Sequence, residues 1–453
     1  KTILTTSIGN DANPDVQIGE RVTFRMVATL PDGTTNLNFN DTLPSGLQYV
    51  VGSFKAISMF GAAPPAGTLT EGPTVSIQFG QITNPSANPD NTVVLEIQAI
   101  VMDVPGNIAG TILTNDADVT TNLGVVADTR DVRIVDPVLT VGKSALVNGG
   151  LNGDAGDLVT YTVVVANDTA VSTGVAYDYV FADVLPAGVQ LVGTPALSGS
   201  AAAGATLDLS LPNTVRVSGD SIALGDTLTI IYTARIIDTV QVPSSITNTG
   251  DIGYDTLPGA GGADRTASDD ATIFITGDQA FVKTIVATDN PTTHAEQFDP
   301  TVDDVTIGET VTFNLVATLP EGVIGPVILT DSLLSPAGVG TLAPVAGSYT
   351  VTLNGSTTAI TPTLTDTNGD GIADSLTFDL GTVTIDPDND PGNNDIVISY
   401  QAIVPDVAAN FAGPGRVQVQ GASLSTPLGT LGAGTRLDVV EPKLQAVKTA
   451  NVT

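Results

Sequence analysis

Lysine is scarce in this chain, and its placing is the first sign of chemistry. Six lysines occur among 453 residues, and four of them open the same short pattern. The segments read Lys1-Thr2-Ile3-Leu4, Lys143-Ser144-Ala145-Leu146, Lys283-Thr284-Ile285-Val286 and Lys448-Thr449-Ala450-Asn451. Burial among apolar strands disfavours the ammonium form and holds an amine toward its neutral, nucleophilic state. The same cost holds a buried aspartic acid toward its protonated state, in which it donates a hydrogen bond to an amide carbonyl. A lysine kept for one place in a repeat therefore points to a specific local partner.

Those lysines have to be positioned by strands. After each of the first three comes a glycine-plus-acid turn and an alternating run: Gly19-Glu20-Arg21-Val22-Thr23-Phe24, Gly156-Asp157-Leu158-Val159-Thr160-Tyr161 and Gly308-Glu309-Thr310-Val311-Thr312-Phe313. Alternation of this kind has strand period. A further strand ends in an aspartate at Asp41, Asp183 and Asp331, followed in the first two cases by Leu-Pro-x-Gly. Late strands run over 95–101, 228–234 and 396–402. An Asn-bearing strand follows at Asn115 and Asn248, with Gln420 at the third place. The pattern predicts repeats at 1–139, 140–279 and 280–445, with 446–453 as the first strand of another. Seven to nine short strands per repeat and no long helix predict an all-β chain of tandem Ig-like Greek-key β-sandwiches. Short Pro-bearing linkers such as Val135-Asp136-Pro137 predict a stiff array.

Composition agrees with strands and acidic turns. Aspartate outnumbers glutamate 41 to 7, which favours turns over helix. A net charge of −33 argues against nucleic acid and against anionic lipid surfaces. Cysteine is absent, so any covalent stapling must use other chemistry. No stretch is long and apolar enough to cross a bilayer as a helix. The chain opens on Lys1 rather than Met, as expected of a processed chain or a piece of a longer one.

The order Lys, Gly-Asp/Glu-x-Val-Thr-Tyr/Phe, Asp-x-Leu-Pro-x-Gly, Asn, then Val-Asp/Glu-Pro-x-Leu resembles the bacterial and archaeal surface repeats of the DUF11 family. It is also similar to the isopeptide-forming D2 domains of fimbrial shaft proteins. The resemblance runs over essentially the whole chain. It implies Ig-like modules of a secreted surface protein, in many members carrying a Lys–Asn isopeptide bond promoted by an Asp. Carried onto this sequence, it implies Lys1, Asp41 and Asn115 in the first repeat and Lys143, Asp183 and Asn248 in the second. Lys283 and Asp331 fit in the third, but Gln420 departs from the pattern, and a cross-link there is not expected. The same residues have a plainer reading: a lysine snorkelling at a strand edge, and Asp and Asn serving turns.

One loop has metal-ligand spacing. Asp366, Asn368 and Asp370 alternate, the carbonyl of Ile372 follows, and Asp374 comes next, as in short Ca²⁺ loops; the chelating Glu of an EF-hand is missing. Other patterns carry less. The acidic run 386–395 reads as a solvated loop, and the group from Asn10 to Asp15 is weaker. Gly142-Lys143-Ser144 lacks the upstream glycine of a phosphate loop, since position 137 is Pro. His294 is the single histidine, which leaves triad catalysis without support. The expectation is a non-enzymatic, extracellular structural protein of a shaft, filament or surface-layer assembly. Its partners would be its own neighbouring repeats or copies of itself. The alternative is a cell-surface adhesin whose sandwich loops bind a glycan or protein, for which no Trp and few Tyr offer a platform.

Overall fold

The computed structural model describes residues 1–9, 14–86, 88–290, 293, 302–335, 341–410 and, with backbone only for 417–419, 417–440. The fourth lysine segment at Lys448, the single histidine and most of the 10–15 group therefore lie outside the described residues.

Nearly all of the ordered structure is β-strand; the helical element described is one 3₁₀ turn, Ala202–Gly204. Six sheets pair face to face as three sandwiches. In the second, one sheet runs in the order Thr140–Val147, Leu158–Ala166, Thr227–Ile236, Val189–Ser198. The facing sheet contains Asp264–Ile275, Ser244–Asp255, Ala176–Val184 and Thr214–Ile222, in that order. The first and third sandwiches repeat this plan. Strands are more numerous than the sequence predicts, because extensions of two to five residues, such as Asn152–Gly153 and Thr206–Asp208, lengthen the sheet edges.

Period-two alternation sets the faces. Along Thr140–Val147 the inward positions are Lys143, Ala145 and Val147. Lysine thus occupies a core position. Val163 and Tyr161 lie beside it on the next strand, paired with Lys143 and Ala145. Tyr161 in turn pairs with Tyr232 on the strand beyond.

The two junctions differ. At the first, the turn around Gly19 meets the loop 256–263, whose Leu257 and Ala263 are buried: Thr256 Oγ1 donates to the Ile18 carbonyl at 2.9 Å, and Arg265 reaches Asp103 at 3.3 Å. The first sandwich keeps its own apolar core. At the second, Gln241–Val242 pairs in parallel with Val323–Ile324 and so joins a sheet of the next sandwich. One apolar core runs through both of those sandwiches. The Gly156 turn seals this junction, with the Gly156 carbonyl accepting from Asn389 Nδ2 at 3.3 Å.

Candidate functional site

Each sandwich buries one lysine between its sheets. The lysine stands on the first strand, or for Lys1 immediately before it, in one sheet, and the aspartate and amide residue come from adjacent strands of the facing sheet. Asp41 pairs with Ala117, Asp331 pairs with Ala422, and Asp183 lies one position beyond the Ala182–Asp251 pair. Asn115, Gln420 and Asn248 therefore each stand two residues before the aspartate's cross-strand neighbour. That spacing returns the side chain to the aspartate's own face of the sheet. Strand period and register, rather than any loop, bring the three residue types together.

In the second sandwich Lys143 Nζ donates to Asp183 Oδ2 at 2.5 Å, with both side chains wholly shielded from solvent. Asn248 Nδ2 donates to the same oxygen at 3.4 Å and to the hydroxyl of Tyr232 at 3.1 Å. The Tyr232 hydroxyl donates to that oxygen too. The Lys143 ammonium lies 5.3 Å from the centre of the Tyr161 ring, which stacks on Tyr232. Burial lowers the Lys143 amine below the ordinary lysine value, against the pull of Asp183. Burial beside Asp183 raises the Tyr232 phenol, so the hydroxyl keeps its proton. The sequence reading expects the aspartic acid to address the amide carbonyl. In the structure the amide nitrogen faces Asp183 and Tyr232, because both offer acceptor oxygens, and Asn248 Oδ1 is without a hydrogen-bond partner.

The first sandwich buries the same three residue types with looser hydrogen bonding, neither amide atom of Asn115 having a hydrogen-bond partner. Lys1 Nζ lies 2.7 Å from Asp41 Oδ2, both side chains almost fully buried, above the ring of Phe24. Asn115 is fully buried against them. Burial lowers the Lys1 amine and raises the Asp41 carboxyl, with Lys1 and Asn115 pulling the latter back. The place of Tyr232 is taken by Ile97, paired with Phe24 as Tyr232 is with Tyr161. In the third, Lys283 Nζ donates to Asp331 Oδ1 at 2.6 Å and the Tyr400 hydroxyl donates to Oδ2. Burial lowers the lysine and raises the aspartic acid here as well. Gln420 is fully buried at the amide position. The structure thus brings Lys1, Asp41 and Asn115, Lys143, Asp183 and Asn248, and Lys283, Asp331 and Gln420 into three buried groups.

Two features escaped the sequence. One is the tyrosine pair Tyr232 and Tyr400, whose residues were read only as strand formers; the signal was their shared position in the late strand. The other is a carboxylate at the lysine's main chain. Asp269 Oδ2 accepts from Lys143 N at 2.7 Å, and at the same register position Asp128 pairs with the N-terminal ammonium of Lys1. In the third sandwich this position is Ala433, since it pairs with Ala422 as Asp128 does with Ala117.

The 366–374 loop closes on itself. Asp366 accepts from Gly369 N and Gly371 N, Asn368 from Asp370 N, and Asp370 from Ile372 N. Asp374 is fully buried; its Oδ1 accepts from Thr367 while Oδ2 has no hydrogen-bond partner. Among the described residues no three acidic or imidazole groups converge as a metal cluster. In the 386–395 run, Asp388 and Asp390 accept from loop N–H groups, as a solvated turn does.

No family model matches the sequence, and no curated protein matches it. Solved structures that align with the chain include the C-terminal domain of the Streptococcus pyogenes antigen I/II-family protein AspA. It shows 11% identity over 58% of this chain and 93% of that one, with a TM-score of 0.36. A 35 kDa C-terminal fragment of the major pilin of Streptococcus agalactiae aligns at 8% identity over 66% and 91%, TM-score 0.26. BcpA, the major pilin subunit of Bacillus cereus, aligns at 8% over 90% and 88%, TM-score 0.27. The β-sandwich fold of the present chain rests on its own strand pairing.

Proposed function

We propose that this chain is an extracellular structural segment, part of a shaft, filament or surface layer, whose first two sandwiches seal themselves with Lys1–Asn115 and Lys143–Asn248 isopeptide bonds. The observation that carries this is the repeated burial of a lysine, an aspartate and an amide at one register position between two sheets. A buried Lys⁺–Asp⁻ pair is costly, and passing the proton from amine to carboxyl relieves that cost. The neutral amine then attacks Asn Cγ; the Nζ–Cγ bond forms, the Cγ–Nδ2 bond breaks and ammonia leaves. Each bond ties the first strand of one sheet to an inner strand of the other. By analogy with disulfide closure of a loop of roughly 100 residues, it contributes about 4–5 kcal/mol. Neighbouring repeats or further copies of the chain are its partners in this reading.

Stretching single molecules tests the mechanical role. The first two sandwiches should refuse to extend between their linked residues, while the third should unravel fully. Full extension of all three would remove the basis for a shaft.

Ca²⁺ at the 366–374 loop is a separate proposal, favoured by the buried, unpartnered Oδ2 of Asp374. Asp366, Asn368, Asp370 and the Ile372 carbonyl would supply the other oxygens. Calorimetric titration should show binding that Asp374→Ala removes; no heat of binding in the wild type would dismiss it.

A further inference from the structure

Tyr232 stands between the acid of the second sandwich and the nitrogen that must leave. Its hydroxyl donates to Asp183 Oδ2 and accepts from Asn248 Nδ2 at 3.1 Å. Lys143 is on the same Asp183 oxygen at 2.5 Å. Among the described groups around this centre, Lys143, Asp183, Asn248, Tyr232 and Tyr161 are the ones that carry exchangeable protons at hydrogen-bonding or stacking distance. Tyr161 is excluded as the donor, since its hydroxyl makes no hydrogen bond. We infer that Tyr232 is a catalytic residue of the cross-linking step, passing a proton from Asp183 to the departing nitrogen of Asn248. The inference rests on the Lys–Asn reading above and adds a residue to it.

The chemistry needs such a donor. An amide nitrogen is a poor leaving group until it is protonated, and it becomes basic only once attack at Cγ has removed its conjugation. Once Asp183 has taken the lysine proton, the Tyr232 hydroxyl reverses its hydrogen bonds, accepting from the carboxyl and pointing its own hydrogen at Nδ2. As Lys143 Nζ bonds to Cγ, the Asp183 proton passes to the Tyr232 oxygen and the Tyr232 proton to Nδ2. The Cγ–Nδ2 bond breaks and ammonia departs. The carboxylate then takes the surplus proton from Nζ. Tyr232 ends as it began, Asp183 keeps the proton first taken from the lysine ammonium, and the other products are one amide and one ammonia. The relay separates the sites: Ile97 holds the equivalent place in the first sandwich, where Asp41 must serve the leaving nitrogen directly.

The two sites in one chain make an internal clock. The full chain, made in a cell-free reaction, is sampled over time and digested, and the linked Lys143–Asn248 and Lys1–Asn115 peptides are quantified. Tyr232→Phe should slow the first by about 100-fold, within the range of general acid catalysis, and leave the second unchanged. A second arm replaces tyrosine with 3,5-difluorotyrosine, which alters phenol acidity with little change in shape. The rate should then change in the second sandwich alone. Equal rates for wild type, Tyr232→Phe and the fluorinated chain would overturn the relay and leave the Lys–Asn reading standing. Absence of both linked peptides from the wild type would overturn the reading itself.

Discussion

The second and third sandwiches hold the same buried lysine–aspartate pair beside the same tyrosine, yet meet it with different amides. Lys143, Asp183 and Tyr232 face Asn248; Lys283, Asp331 and Tyr400 face Gln420. The hydrogen bonding differs accordingly. In the second, lysine, tyrosine and asparagine converge on one carboxylate oxygen. In the third, Lys283 and Tyr400 take separate oxygens. The third also lacks the carboxylate that fixes the lysine's main chain in the other two, having Ala433 there. One extra methylene and one missing carboxylate thus distinguish the third site from the second.

Removing the acid should give the largest effect and expose that difference. Asp183→Ala leaves Lys143 buried without its partner, costing roughly 3–5 kcal/mol, and on the proposed cross-link removes about 4–5 kcal/mol more. Asp331→Ala should lose only the first of these. Denaturant midpoints of the two variants check the inequality.

Exchanging the amides comes next. Asn248→Gln should stop ammonia loss in the second sandwich, and Gln420→Asn should start it in the third. Peptide mapping reads both.

A pH titration sharpens the contrast further. Burial raises Asp331 and lowers Lys283 in the folded third sandwich. Between the ordinary aspartate value and the raised one, the folded state binds more protons than the unfolded, so stability falls as pH rises. Between the lowered lysine value and the ordinary one, the unfolded state binds more, so stability rises with pH. Both limbs should vanish in a Lys283→Met/Asp331→Leu variant, as followed by hydrogen exchange of residues 280–288. If the proposed cross-link forms, the alkaline limb should be absent from the second sandwich, since an amide nitrogen does not titrate there.

The smallest effect concerns the turns. Gly156 and Gly308 share a left-handed backbone, with φ of +90° and +88°. A Cβ on Gly156 would meet the Pro387 carbonyl oxygen of the next sandwich at 2.8 Å, whereas one on Gly308 meets nothing within 4 Å. Gly308→Ala should therefore cost only backbone strain, about 1–2 kcal/mol, and Gly156→Ala more, as melting curves would show.

Much of the site was legible in the sequence because strands repeat every two residues. Lys143, Asp183 and Asn248 recur with their neighbours, and alternation fixes which way each points. The all-β class followed from the same alternation and from the aspartate-rich turns. Tyr232 was not legible as a functional residue. Its meaning comes from pairing with Tyr161 across some seventy residues of chain, which no local pattern encodes. The amide's orientation was hidden for the same reason. So was the departure of Gln241–Val242 into the next sandwich's sheet, where two residues are too few to show a period.

The intact mass of the full chain tests the central claim most directly. The account expects a deficit of two ammonias, one from Lys1–Asn115 and one from Lys143–Asn248, each lost separately in Asp41→Ala and Asp183→Ala. A wild-type mass equal to that of the unmodified sequence would contradict it and leave the buried lysines as ion pairs alone.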